Sequence, residues 1–217
     1  MGAGARRPDT RTVGACKSGG VLILLRHGRT PNNAEARLQG QFNSPLDEVG
    51  VEQASRAGAY IRRRWDIDTV VTSSLTRTRE TAVHAGFDTG EVIVDDRWRE
   101  IDFGEYDQRK IGEVITELSA RWRSNIHYEP VGGESIATMH ERVVDACMDL
   151  AERAADENVL VVTHATPIKS AAVWALGGAP TMILNLWVNL ATVSVLSEVH
   201  GEFILSEYNT RIDRLDM

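Results

Sequence analysis

"VLILLRHGRTPNN", residues 21–33, runs five aliphatic residues straight into Arg26, His27 and Arg29. A continuous apolar run, without alternation, predicts a strand buried on both faces, as in a parallel sheet covered by helices on either side. Such a strand ends in one of two ways. It either leads into a solvated basic turn or delivers an imidazole to a site built for anions, and the rest of the chain decides between them.

Working outward from Val21–Leu25, the pattern recurs. Asp68–Thr72 (DTVVT) predicts a second buried strand, "EVIVDD" a third and Asn158–Thr163 (NVLVVT) a fourth. Helical spacing fills the intervals. In "SPLDEVGVEQASRAGAYIRRRW", Asp47 is the expected N-cap, and Val51, Ala54, Gly58, Ile61 and Trp65 share a face. Ser73-Ser74 are expected to cap a helix running through Thr81-Ala82. Ser135 opens another that carries Ile136, Met139, Val143, Cys147, Leu150 and Ala154 on one side. Thr166 as N-cap with Pro167 at the first helical position predicts a fourth, ending at Gly177-Gly178. "TVSVLSEV" and "EFILSEY" flank His200-Gly201 as a hairpin. The alternation predicts an α/β fold: a three-layer α/β/α sandwich with a mainly parallel mixed sheet and an antiparallel edge. One domain is expected over residues 21–217. Residues 1–20, rich in Gly, Ala and Arg without periodicity, are expected to be a disordered leader.

Composition narrows the function. The chain is 42% hydrophobic and 25% charged, ordinary for a globular domain, and its net charge of −7 argues against nucleic acid or a membrane surface as partner. The uncharged stretch 170–197 is broken by Gly177-Gly178, Pro180, Asn185 and Asn189, so it reads as core packing with a candidate homodimer surface and not as a membrane span. Two unpatterned cysteines, Cys16 and Cys147, give neither a disulfide framework nor a metal spacing, which suits a reducing cytoplasm. No metal and no cofactor are expected.

In sheets of this kind ligands gather beyond the carboxyl ends of the strands. Three predicted strands end in reactive or basic residues: Arg26-His27 after the first, Ser73 to Arg77 after the second, His164 after the fourth. Phosphoryl transfer needs such a set: a nucleophile, cations on the equatorial oxygens and an acid for the leaving oxygen. Arginine offers a planar, permanently charged fork, and a neutral histidine nitrogen is nucleophilic near pH 7. The acid must be protonated in the working complex; Glu100, Asp102 and Glu105 are candidates, with Glu100 the best placed, and spacing alone does not choose among them.

"LLRHGRTPNN", "SSLTRTRETA", "REIDFGE", "GGES" and "VVTHATPIK", in this order, resemble the histidine phosphatase superfamily in its phosphoglycerate-mutase-like branch, over nearly the whole chain beyond the leader. The "THATPIK" form is closer to phosphatase members near α-ribazole phosphatase than to mutases. The resemblance implies that His27 becomes phosphohistidine, that Arg26, Asn33, Arg77 and His164 line the phosphate pocket, and that Glu100 is acid and then base. It also implies that Gln39 and Gly40, in "RLQGQFNSPL", border the substrate, with Arg29 and Thr30 as further candidates beside His27. Arg29 stands where relatives commonly carry glutamate, which is either a hint of a more anionic substrate or merely a surface change. The function implied is hydrolysis of a small phosphorylated metabolite. A mutase that returns the phosphoryl group to its substrate is the alternative within the family, and a non-catalytic phospho-ligand binder the alternative outside it. His84, His140 and His200 read as structural. His127, near Trp122 and Tyr128, reads equally well as loop packing or as part of a substrate-selecting lid.

Overall fold

In the computed structural model, which describes residues 19–87, 92–199 and 202–212, the opening stretch forms strand β1, Val21–Arg26. Leu22, Ile23, Leu24 and Leu25 are all fully buried, each contributing about 2 kcal/mol of apolar burial. The alternation of the pleat splits them between two cores. Leu22 and Leu24 pack with Met139, Val143, Cys147 and Ile168, whereas Ile23 and Leu25 pack with Ala57, Ile61, Ala82 and Ala85. Two apolar layers on one central strand make the three-layer sandwich.

The remaining elements are helix α1 (Pro31–Ala34), α2 (Glu48–Arg62), β2 (Thr69–Thr72), α3 (Thr76–His84), β3 (Val92–Val94), α4 (Ile111–Ser124), α5 (Ile136–Ala154), β4 (Asn158–Thr163), α6 (Ala165–Ala175), β5 (Val193–Val199) and β6 (Glu202–Thr210). Short 3-10 turns lie at Asp96–Trp98, Gly104–Tyr106 and Pro180–Asn185. The six strands order as β3-β2-β4-β1-β5-β6. The first four are mutually parallel, β5 runs antiparallel to β1, and β6 is antiparallel to β5. The sheet is thus mainly parallel, with the C-terminal pair at one edge. The predicted His200-Gly201 turn and Cys16 lie outside the described residues, as does most of the expected leader.

Asp47 caps α2 by accepting from the Gly50 amide (2.8 Å), and Ser135 caps α5 by accepting from Thr138 N (3.0 Å). All six apolar residues named on the α5 face are buried. Gly28 has a steric reason. A Cβ there would stand 2.4 Å from the Gly50 carbonyl oxygen, so the backbone leaving β1 touches the first turn of α2 directly.

Two expectations need correction, and one helix lies where none was expected. Leu75, not Ser73 or Ser74, is the N-cap of α3, and no side chain caps it. The Ser73 hydroxyl is engaged elsewhere, as described below. Helix α6 begins at Ala165 with His164 at the cap position, which puts Pro167 third; proline is harmless there because first-turn amides have no intrahelical acceptor. Helix α4 is an element that the sequence reading did not include. Its buried face is Val114, Leu118 and Trp122, a spacing of four that helices favour. Among the described residues no helix is long and apolar enough to cross a membrane.

Candidate active site

The parallel register sets Arg26 beside Thr163 and Thr72 beside Val162, so the residues following β1, β2 and β4 converge at one edge of the sheet. His27 and His164 are buried there, with ring centroids 5.1 Å apart and planes tilted by 60°. Arg77, in the first turn of α3, is completely buried beside them.

The hydrogen bonds assign each ring its tautomer. His27 Nδ1 lies 2.7 Å from the Gly28 carbonyl oxygen. A carbonyl only accepts, so Nδ1 carries the proton and Nε2 keeps its lone pair. Burial, then the charges of Arg77 and Arg26, hold this imidazole well below the usual histidine range. At neutral pH it is therefore an uncharged nucleophile. His164 is wired differently. Arg77 Nε donates to its Nδ1 (3.1 Å), which leaves the proton on Nε2 to be donated to Ser73 Oγ (2.9 Å). Burial and Arg77 hold it, too, well below the usual range.

Arg77 completes its anchoring by donating from Nη1 to the Phe42 carbonyl (2.9 Å) and from Nη2 to the Gly40 carbonyl (2.7 Å). Two of its five N–H groups have no partner among the described residues. Arg26 Nη1 donates to the Val188 carbonyl (2.7 Å), while its buried Nε has none. Burial pushes both arginines down to about 10, opposed in each case by Glu100. Buried Arg77 and half-buried Arg26 share the Glu100 carboxylate, with Asp107 also bearing on Arg77. Desolvating each ion costs about several kcal/mol, a cost that an incoming anion offsets.

Glu100 is delivered by the turn after β3 and is 5% exposed. Thr163 Oγ1 donates to the Trp98 carbonyl (2.6 Å), and Arg142 from α5 donates to the carbonyls of Arg97 and Arg99 (2.6 and 2.9 Å), so the segment is fixed on both sides. The Glu100 carboxylate accepts from Ala165 N (3.2 Å), Thr166 N (3.2 Å) and Ile101 N (2.9 Å). It thus sits on the free amides that open α6, a seat suited to any anion. This explains why Thr166 need not cap the helix: a side chain from another segment does so. Of the three candidate acids, Glu100 alone faces the cavity described next. Asp102 accepts from Gly104 N (2.9 Å) and opens to a different surface hollow with Arg99 and Arg142, and Glu105 is exposed.

A cavity of about 290 Å³ is lined by Arg26, His27, Asn33, Gln39, Glu100, Ala165 and Thr166 on its floor. Its other walls come from α4 (Ile111, Ile115, Trp122), from Phe103, and from residues 183–188, and Lys169 also lines it. The volume suits a compact ligand. Asn33 accepts from Thr30 N through Oδ1 (3.2 Å), which turns its amide nitrogen away from the α1 cap. Gln39 Oε1 accepts from Thr30 Oγ1 (2.7 Å), and its buried Nε2 has no partner.

Arg77 and His164, both fully buried, are not among the lining residues. Three residues expected to touch substrate do other work. Arg29 turns outward because its Nε donates to Asp47 (2.7 Å). Thr30 is fully buried, where it caps α1 and orients Gln39 and Asn33. Gly40 acts through its carbonyl on Arg77 and its amide on Asp107 (2.9 Å). His140 bonds Ser170 (2.7 Å), His84 and His127 are exposed, and none of the three lines the cavity. Sequence reasoning did not place Ser73, Lys169 or the apolar walls in the site. Lys169 had a signal: it follows Ala165 by one helical turn and so shares its face. Among the described residues no group of three or more His, Cys, Asp or Glu is placed to hold a metal ion.

A family model described as histidine phosphatase superfamily (branch 1) matches residues 22–211. The bifunctional protein Rv2228c of Mycobacterium tuberculosis is 36% identical over 178 residues, 80% of this chain and 49% of that protein, so the chain spans about half the length of that relative. Glucosyl-3-phosphoglycerate phosphatase of Mycolicibacterium vanbaalenii is 31% identical over 168 residues, covering 72% of this chain and 74% of that one. Among solved structures, mycobacterial glucosyl-3-phosphoglycerate phosphatase Rv2419c with VO3 superposes at a TM-score of 0.77 and 29% identity, over 88% of this chain and 100% of that chain.

Proposed function

The chain belongs to the histidine phosphatase superfamily (branch 1), and we propose that it hydrolyses a phosphate monoester of a small metabolite through a phosphohistidine at His27. The observation that carries this reading is the wiring of His27. Its Nδ1 proton is held by Gly28, so a neutral Nε2 is left at a cavity that half-buried Arg26 lines, with buried Arg77 close by.

In this scheme the substrate phosphoryl group enters over Nε2. Arg26, the uncommitted N–H groups of Arg77, and the amide of Asn33 take its equatorial oxygens. Positive charge fixed in advance stabilises the transition state without reorganisation. The dianion also claims the Ala165 and Thr166 amides now held by Glu100. Displaced from them and set beside the phosphoryl group, Glu100 takes up a proton and gives it to the leaving alcohol oxygen. Nε2 forms the P–N bond as the P–O bond breaks. Water then enters, Glu100 takes its proton, and attack on phosphorus releases phosphate and restores His27.

A mutase would use the same groups but must keep water from the intermediate. Trp187, on the cavity lining, is 71% exposed, a wall that favours hydrolysis. Release of inorganic phosphate from an aryl phosphate, with 3-phosphoglycerate isomerisation run beside it, tests the reading. We expect phosphate release that His27→Ala abolishes. Release undiminished in His27→Ala would refute the covalent route.

A further inference from the structure

Lys169 is a charged cavity residue that the scheme above leaves unused. It lines the same cavity as His27 and Glu100. Four helical residues from Ala165 amount to about 6 Å, which sets it clear of the phosphoryl seat and within reach of the rest of a bound substrate. Burial holds its ammonium below the usual lysine range, and the acidic group bearing on it is Glu100. Among the described residues no hydrogen bond or ion pair fixes it. The other cations of the lining are committed: Arg26 to the Val188 carbonyl, Arg37 to Glu35 and the Gln108 carbonyl. Much of the remaining wall is apolar, including Trp122, Phe103, Ile183 and Trp187. A half-buried cation among such groups is costly unless an anion joins it. In the working complex Glu100 is protonated, so Lys169 then loses the negative charge that bears on it.

Resting on the phosphatase reading, we propose that Lys169 is the leaving-group subsite. It pairs with a carboxylate on the alcohol portion, so preferred substrates are phosphate monoesters of ring-sized, largely apolar alcohols that bear a carboxylate. One ammonium matches one singly charged carboxylate. A second phosphate dianion calls for a guanidinium fork or a second cation, and the committed arginines supply neither.

The test compares kcat/KM for 4-carboxyphenyl phosphate and phenyl phosphate in the native chain, Lys169→Met, Lys169→Gln and Lys169→Arg. The two phenols differ as leaving groups, but that difference is common to all four proteins, so the change in ratio isolates the carboxylate contact. We expect the ratio to fall roughly tenfold in the Met and Gln variants, mainly through KM, and to be kept by Arg. An unchanged ratio in the neutral variants overturns the subsite, whatever the absolute rates. A readout without variants is competitive inhibition of the native chain. 4-Hydroxybenzoate should act at roughly tenfold lower concentration than the neutral 4-hydroxybenzamide, and equal inhibition overturns the subsite as well. Failure of the phosphatase reading has a separate signature: the native chain turns over neither ester, and the subsite falls with it.

Discussion

The floor and the opposite wall of the cavity are built by different rules. On and beside the floor, in the segments that follow β1, β3 and β4, three functional side chains are buried and held by specific hydrogen bonds: His27 by Gly28, His164 by Arg77 and Ser73, Glu100 by three backbone amides. Opposite, Ile111, Ile115, Leu184 and Trp187 face the same space through apolar surface, and Ile111, Ile115 and Trp187 remain substantially exposed. A transition state needs charges fixed in advance, because reorganisation during the reaction raises the barrier. Recognition of a leaving group needs shape and burial. In the proposed scheme the floor supplies the chemistry and the opposite wall the choice of substrate.

That contrast can be broken by experiment. The largest effect should come from Glu100→Gln, which we expect to slow alkyl phosphates roughly 10²–10⁴-fold and aryl phosphates much less, since a phenol leaves with little help from a proton. Equal slowing of both classes would remove Glu100 from the role of acid. Arg77→Lys should lower kcat/KM roughly 10²–10³-fold. An ammonium cannot span His164, Gly40 and Phe42 while also facing a phosphoryl group, so activity near the native level would show that the guanidinium fork is dispensable.

The floor should also be visible in stability against pH. His27 and His164 are held below their unfolded value of about 6.5. Below that pH the unfolded chain binds protons that the native chain refuses. Stability should therefore be fully present above about pH 6.5 and fall as pH drops, by up to about 1.4 kcal/mol per pH unit for each ring. Thermal unfolding between pH 7.5 and 5.5 reads this, and His27→Gln should lessen the slope by one proton. A flat Tm would contradict the neutral, buried rings. Smallest is Trp187→Ala on the opposite wall: a few-fold rise in KM, with stability changed by no more than about 0.5 kcal/mol. A collapse of kcat there would erase the distinction between the two regions.

The same contrast explains what could be read from the sequence. Polar residues at the end of an apolar strand stand out, and the parallel sheet brings strand ends together, so Arg26, His27, Arg77 and His164 were legible as a group. So were the N-caps Asp47 and Ser135. Contacts made by packing carry no such mark. Helix α4 went unread although its buried residues Val114, Leu118 and Trp122 recur every four positions, and residues 183–188 look like generic core. Arg29 misled because proximity in sequence to His27 says nothing of its partner Asp47, which lies 18 residues away. Ser73 looked like a helix cap because serine usually is one, whereas here the hydroxyl orients His164. Glu100 stood out by position, but its present seat on the α6 amides depends on a long-range fold contact that local pattern does not encode.

The most direct measurement is chemical trapping of the intermediate. The native chain is mixed with radiolabelled phosphate ester, quenched in base within milliseconds and mapped by peptide. An acid-labile, base-stable label on the peptide carrying His27, absent in His27→Ala, is the expected result. Steady phosphate release with no label on His27, or with the label on another residue, would contradict it.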